Sequence, residues 1–518
     1  MVRPKHCLPA CTHCLKPSTH SLNFNWPFLN RPYSEQNVRS VIIGLMLAIF
    51  LGALDQTIVA VALPSMSNEL QGFDWLSWVV SGYLLSATLV TPLYGKFSDL
   101  VGRRAMLTLA ITLFLISSIG CALSNSMMML VIFRVLQGMG GGGLISLAQA
   151  TIADVVSPRE RGRYQGYISG MYALASVAGP LFGGVLTESL SWRWIFWINL
   201  PLCLLALVIS RRALKILPVP RLQHPVDYAG ILLLMGSLLC LLLAFTFLGQ
   251  RGTWDSIMSS LLFASLLMGV GFIWVERFAV EPIIPPSLFS VHEFSVGIVV
   301  LFITFMQIIA LTVLVPLQIQ LVSGLSASAS AWRLLPLSMG VPLGAFVCGR
   351  LMSANGHYKH LQLSGIALAG VGILFLSSVS VNSIGLYGTA LAITGIGIGA
   401  QFPTTLVSIQ NAVPKQHIGI ATATTALFRS LGATVGVALL SSLLLVLLQS
   451  ALPQWHLTGG EAIHYGLSAT AGLPEQSLFA LREAASHAYQ LIFTLMAVSS
   501  SLSFILGYRL SEQKLQSL

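Results

Sequence analysis

Residues 95–104 read GKFSDLVGRR, with four charges (Lys96, Asp99, Arg103 and Arg104) set among glycines at 95 and 102. Only 8% of the chain is charged. Before this stretch runs LSWVVSGYLLSATLVTPLY (76–94), and after it AMLTLAITLFLISSIGCAL (105–123). Each run is about as long as a helix that crosses a bilayer, which needs roughly 20 apolar residues. The charged decapeptide is therefore expected to be the turn between two spans, held in water by its charges.

The same pattern recurs along all 518 residues, which are 55% hydrophobic. Mean hydropathy is +0.81. A soluble protein of this size needs far more charge to cover its surface. Fourteen spans are expected, near 39–63, 76–97, 105–124, 127–150, 164–187, 194–213, 229–248, 257–275, 293–320, 329–350, 361–380, 383–408, 419–447 and 488–509. They must be helices, because the alternating ten-residue strands of a membrane barrel are absent from the sequence. The fold class is thus an all-α polytopic membrane protein.

Of the 27 Lys and Arg residues, Arg193, Arg251 and Arg482 fall on one side, and Arg134, Arg333 and Arg429 fall within spans. The other 21 share the opposite side, and basic loops face the cytoplasm. Both termini are expected inside, and the net charge of +10 is accounted for by topology, without nucleic acid. Arg333 lies near the outer boundary, where its side chain can reach water.

Glycines repeat at a fixed offset. Gly95 and Gly102 recur 254 residues later as Gly349 and Gly356. GMGGGG (138–143) matches GIGIGA (395–400), Gly162 matches Gly419, and Gly179 matches Gly436, each offset by 257. Two pseudo-symmetric six-helix halves with two helices inserted between them, 6+2+6, have this spacing. The expected division is an extension at 1–37, one half at 38–213, inserted helices and linkers at 214–290, a second half at 291–510 and a tail at 511–518. The second half contains an outer loop at 451–487.

GKFSDLVGRRAML closely resembles the loop signature between the second and third helices of the major facilitator superfamily. LGALDQTIVAVALPSM (51–66), RVLQGMGGGG (134–143), AGPLFGGVL (178–186), SWRWIFWINLP (191–201) and LFRSLGATVGVAL (427–439) resemble its fourteen-helix drug:proton antiporter branch, the EmrB/QacA type. The resemblance covers about 38–510. The branch usually has Asn where Ala60 stands, which removes one amide from any proton or substrate role. The fold implied is the major facilitator fold. The function implied is multidrug efflux by proton antiport, with small amphipathic compounds as substrates.

Asp55 and Arg134 lie well inside spans, where ionisable groups are costly and usually face an interior cavity. A carboxylate removed from water holds a proton more readily. Asp55 is therefore the candidate proton carrier, the other reading being a permanent structural pair. Arg134 stays charged and can help discharge the carboxylate; alternatively it pairs with backbone carbonyls. Polar Gln56 and Thr57 suggest a wet cavity, with Gln137 and Arg429 as further candidate cavity residues. Arg429 is as readily structural as functional, and its partner is open.

The resemblance implies a conformational latch of Gly95, Asp99, Gly102, Arg103, Arg104 and Asp154, closing on the start of the span at 419–447. It likewise implies a helix pivot at Gly179, Pro180, Gly183 and Gly184. The glycines at 138–143 serve as both motif and packing surface.

Cys7, Cys11 and Cys14, with His6 and His13, form no complete metal site by spacing, and a polar extension is the plainer reading. LPEQSLFALREAASHA (473–488) has the pattern of an amphipathic surface helix, a candidate contact for a periplasmic adaptor protein. His456, His464 and His487 are scattered as solvated histidines are. No cofactor or metal is expected, and no GxxxxGK[ST] loop offers ATP. The rivals to multidrug efflux are proton-coupled export of one native metabolite or siderophore and, further off, an integral membrane enzyme. The expected location is a bacterial inner or plasma membrane.

Overall fold

The computed structural model describes residues 35–71, 75–216, 227–251, 254–279, 282–325, 327–451 and 475–511. The cysteine-rich start, most of the outer loop with His456 and His464, and the extreme C-terminus lie outside these residues. Among the described residues there is no strand. The helices are α1 (Glu35–Leu70), α2 (Leu76–Val101), α3 (Arg103–Ala122), α4 (Met127–Val155), α5 (Pro158–Ser189), α6 (Trp194–Trp197), α7 (Asn199–Ala213), α8 (Tyr228–Arg251), α9 (Ser256–Glu276), α10 (Pro286–Phe289), α11 (His292–Ser323), α12 (Ala327–Asn355), α13 (Lys359–Ser378), α14 (Ile384–Ala412), α15 (Ile418–Ala451) and α16 (Glu475–Tyr508). Thirteen candidate spans are long and apolar enough to cross a membrane, the α6–α7 pair counting as one. The 26-residue α2 packs among them as the fourteenth.

Local chemistry sets several starts. Ser126 accepts the Met129 N–H, Asp255 accepts the Met258 N–H, and Ser157 accepts the Glu160 N–H with Pro158 in the first turn. Each satisfies a donor that the helix itself leaves free. The sixth span is broken at Ile198, between α6 and α7. Pro201 has no N–H for a bond back to Trp197, but it fits the first turn of a new helix.

One expected segment is corrected. Residues 475–487 are no separate surface helix; they form the first turns of α16. Leu481 and Ala485 are buried, Ala485 in one cluster with Ile319 and Leu448, so this amphipathic face is covered by the bundle itself.

Helices α1–α7 pack as one group and α11–α16 as another, while the α8–α9 hairpin rests on α2 and α15. The groups meet through α2 against α15 and α5 against α12. The glycine repeat becomes geometry at these contacts. A Cβ on Gly138 would lie 2.3 Å from the Tyr83 carbonyl oxygen of α2, and one on Gly395 would lie 2.5 Å from that of Leu337 on α12. Between the halves, Gly95 sits on Ala423 and the Gly419 carbonyl of α15, while Gly349 sits on the Gly162 carbonyl of α5. Each turn then exits through a glycine with positive φ, Gly102 at 101° and Gly356 at 71°. Most other residues are strained there.

Candidate functional site

Asp55 and Arg134 are 0% and 1% exposed. Arg134 Nη1 donates to Asp55 Oδ2 at 2.6 Å and to Gln137 Oε1 at 2.7 Å. Gln137 Nε2 donates to Asp55 Oδ1 at 2.9 Å and to Ser118 Oγ at 2.7 Å. Asn199 Nδ2 donates to Asp55 Oδ1 at 3.2 Å. Arg134 Nε donates to the Val79 carbonyl at 3.0 Å, and its guanidinium lies 4.3 Å from the Tyr83 ring centre. Five helices, α1, α2, α3, α4 and α7, thus join one hydrogen-bond network around this carboxylate.

The orientation of this shell follows from donor counting. An arginine only donates, so Gln137 must turn its oxygen to Arg134 and its NH2 to Asp55. Arg134 and Gln137 are thereby fixed as donors to Asp55, and Asn199 donates as well, while its own oxygen is buried without a hydrogen-bond partner.

Two sequence expectations are corrected. Asp55 is fully buried instead of facing a wet cavity, and Gln137 is fully buried in its shell instead of lining one. The polarity of the neighbours misled, because successive helical residues point about 100° apart. Gln56 is exposed, whereas Thr57 turns to α5 and donates to the Ala175 carbonyl at 2.9 Å. Asn199 went unassigned in the sequence. Its signal was an amide inside the otherwise apolar WIFWINLP. Ser118 carried no comparable signal.

Arg429, on α15, is half-buried. Its guanidinium lies 4.3 Å from the Phe305 ring centre, it faces the Tyr172 hydroxyl of α5, and its Nε has no hydrogen-bond partner. Arg333 donates to the Val381 carbonyl at 3.3 Å, in the connection between α13 and α14.

The turn at 95–104 and its neighbours form a second site, at the end of the bundle that also holds Arg159, Arg161 and Arg163. Asp99 Oδ1 pairs with Arg103 at 2.6 Å, and Asp99 Oδ2 accepts the Ile420 N–H at 3.1 Å. Arg103 continues to Asp154 at 2.7 Å and to Ser98. Arg104 is half-exposed at the start of α3, outside this set of contacts among the described residues.

The repeat supplies a counterpart that sequence reading missed. Ser353 stands 254 residues after Asp99, and Arg163 stands 257 before Ile420. Ser353 Oγ accepts the Arg163 N–H at 3.1 Å in the second turn of α5, so a hydroxyl meets α5 where, by the repeat, a carboxylate meets the start of α15. Arg159 reinforces this contact by donating to the Ser353 and Ala354 carbonyls at 2.8 and 2.7 Å, and Arg161 reaches the Gln410 carbonyl at 3.4 Å. This end is closed between the halves.

In α5, residues 179–184 continue one helix without a break. Gly179 leaves room for Thr57, where a Cβ would lie 2.0 Å from its hydroxyl, and Gly184 has no atom close to its Cβ direction.

Comparison with known proteins places this architecture. The chain is 34% identical over 416 residues to the multidrug transporter protein MdtP of Bacillus subtilis (strain 168), covering 79% of this chain and 76% of that protein. It is 32% identical over 408 residues to multidrug resistance protein 3 of the same organism, covering 78% and 79%. With an uncharacterized MFS-type transporter of Mycobacterium tuberculosis (strain ATCC 25618 / H37Rv) it shares 36% identity over 407 residues, 77% of this chain but 58% of the relative. Among solved structures, the human organic anion transporter MFSD10 (TETRAN) superposes with a TM-score of 0.63 at 16% identity, over 91% of this chain and 99% of that one. The proton:xylose symporter XylE superposes at 0.60 and 15% identity, over 94% and 98%. These two likenesses concern the fold alone. The family model described as Major Facilitator Superfamily matches residues 45–437, and the chain belongs to that superfamily as a multi-pass membrane transporter.

Proposed function

We propose that this transporter exports small amphipathic compounds by proton antiport with alternating access. The observation that carries the reading is the Asp55 shell, a carboxylate at the middle of α1 that accepts hydrogen bonds from Arg134 and Gln137 of α4 and Asn199 of α7. Protonation would place an O–H against those donors and leave Arg134 without its counter-charge. Binding a proton and leaving this conformation are then one event, which is the coupling an antiporter needs. The multidrug names of the Bacillus relatives support the substrate class.

Asp99, Arg103 and Asp154, with Gly95 and Gly102 shaping the turn, act as the latch of the closed end. Gly179, Pro180, Gly183 and Gly184 act as the pivot of α5 when that end opens. Purified protein in proteoliposomes tests the reading. An imposed pH gradient is expected to drive uptake of a lipophilic fluorescent dye into inside-out vesicles, and a protonophore should abolish it. Dye movement that ignores both gradient and protonophore would overturn the antiport.

We also place the basic, closed end in the cytoplasm, with both termini, in a bacterial cell membrane. On a cysteine-free background, an impermeant maleimide added to whole cells is expected to label Ser380→Cys and to spare Gln416→Cys. Both positions are exposed, at opposite ends of the bundle. The reverse labelling would invert the topology.

A further inference from the structure

Arg429 is a cation half-buried midway along α15, and no carboxylate faces it among the described residues. Asp55 is the one acidic residue deep within a described span, and Arg134 already holds it at 2.6 Å. What surrounds Arg429 is the Tyr172 hydroxyl and the face of Phe305. Phe305 in turn stacks on Phe402 of α14, with ring centres 4.9 Å apart and planes 27° apart. A cation–π contact offsets only part of the cost of taking a guanidinium out of water. Nε, which with a neighbouring Nη forms the edge that grips a carboxylate with two parallel bonds, has no partner. The residues come from both halves, α5 on one side and α11, α14 and α15 on the other.

We propose that Arg429 and Tyr172 form an anion-accepting subsite between the halves. It takes a carboxylate attached to an aromatic or similarly apolar body, which rests on Phe305 and Phe402. The proposal rests on the export reading and narrows it: the favoured substrates are amphipathic acids. The charge that a ligand meets is then positive, because the chain's own deep carboxylate is enclosed by donors. Tyr172 and Arg429 also bridge the halves, so a bound carboxylate contacts both and is released when they part.

The test uses the full chain in lipid nanodiscs with two matched probes, pyrenebutyrate and its primary amide, titrated by fluorescence at pH 7.5. Wild type is expected to bind the acid about tenfold or more tightly than the amide, as a charge-assisted hydrogen bond allows. Arg429→Gln should bring the two within about threefold of each other by weakening only the acid, since an amide does not need the charge. Unchanged amide affinity shows that the variant is folded. Should Arg429→Gln fail to fold, Tyr172→Phe removes one hydroxyl and is expected to lower the preference about threefold or more. Equal binding of both probes by wild type, or a preference that survives the substitution used, overturns the subsite while leaving proton-driven export standing. Binding of neither probe by wild type overturns the amphipathic-substrate reading and the subsite with it.

Discussion

Asp55→Asn is expected to abolish pH-driven export and to destabilise the purified protein. The substitution keeps the side chain's shape but removes its charge. Arg134 then remains 1% exposed with no counter-ion, and one end of the new amide turns NH2 against the donors of Arg134, Gln137 or Asn199. Removing one partner of a buried ion pair typically costs about 3–5 kcal/mol. The cost falls on the conformation that contains this shell, so the variant should also populate it less. Stability and transport can be separated with a second change. Asp55→Asn with Arg134→Gln removes the stranded cation and should recover most of the lost thermal stability, yet transport should stay at background because no group remains to carry the proton. Thermal unfolding in detergent and dye uptake in proteoliposomes read the two effects. Wild-type uptake by Asp55→Asn would end the proton-carrier role. If stability and uptake recovered together in the double variant, Asp55 would be a structural pair only.

The distribution of legible and hidden features has a physical cause. Spans, the repeat and the buried charges could be read because each is dictated by chain-local chemistry. A bilayer demands long apolar runs. Helices that touch demand glycine where a Cβ would strike a carbonyl, as at Gly138 and Gly395. A charge within an apolar run has no local explanation and draws notice, as Asp55, Arg134 and Arg429 did.

Partners are a different matter. Asn199 reaches Asp55 across 144 residues of chain, and nothing in either segment announces the other. Ser353 is an ordinary helix-end serine until the offset of 254 is applied to Asp99 and the fold sets it on α5. Direction is lost too. Asp55, Gln56 and Thr57 are adjacent in sequence, but Asp55 is enclosed in its shell, Gln56 is exposed and Thr57 turns to α5. The stretch at 475–487 shows the same limit in another form: its apolar stripe is legible in the sequence, but whether lipid or protein covers such a stripe is decided by what lies alongside.

The closed end is expected to loosen in Asp99→Asn, while transport slows and proton coupling survives. A carboxylate at a helix N-terminus contributes about 0.3–2 kcal/mol. At about 1.4 kcal/mol for each factor of ten, its upper value shifts a two-state balance about thirtyfold. The structure gives a second way to open the same contact without touching any charge. A Cβ on Gly419 would lie 2.1 Å from Asp99 Oδ1 and 2.4 Å from Arg103 Nη1, so Gly419→Ala must push the carboxylate off the start of α15. It should open this end at least as far as Asp99→Asn does.

Ser353→Ala should do much less. It loses one neutral hydrogen bond, worth about 1 kcal/mol, and Arg159 still binds the two carbonyls at the end of α12. The order of effects is therefore Gly419→Ala, then Asp99→Asn, then Ser353→Ala, and it follows from charge at one contact and a hydroxyl at the other. Spin labels at Ala105→Cys and Gln416→Cys, both exposed and in different halves, report the opening as a distance distribution. Unchanged distances in Asp99→Asn and Gly419→Ala would refute the latch. Loss of proton coupling in Asp99→Asn, with distances unchanged, would instead make Asp99 a proton site.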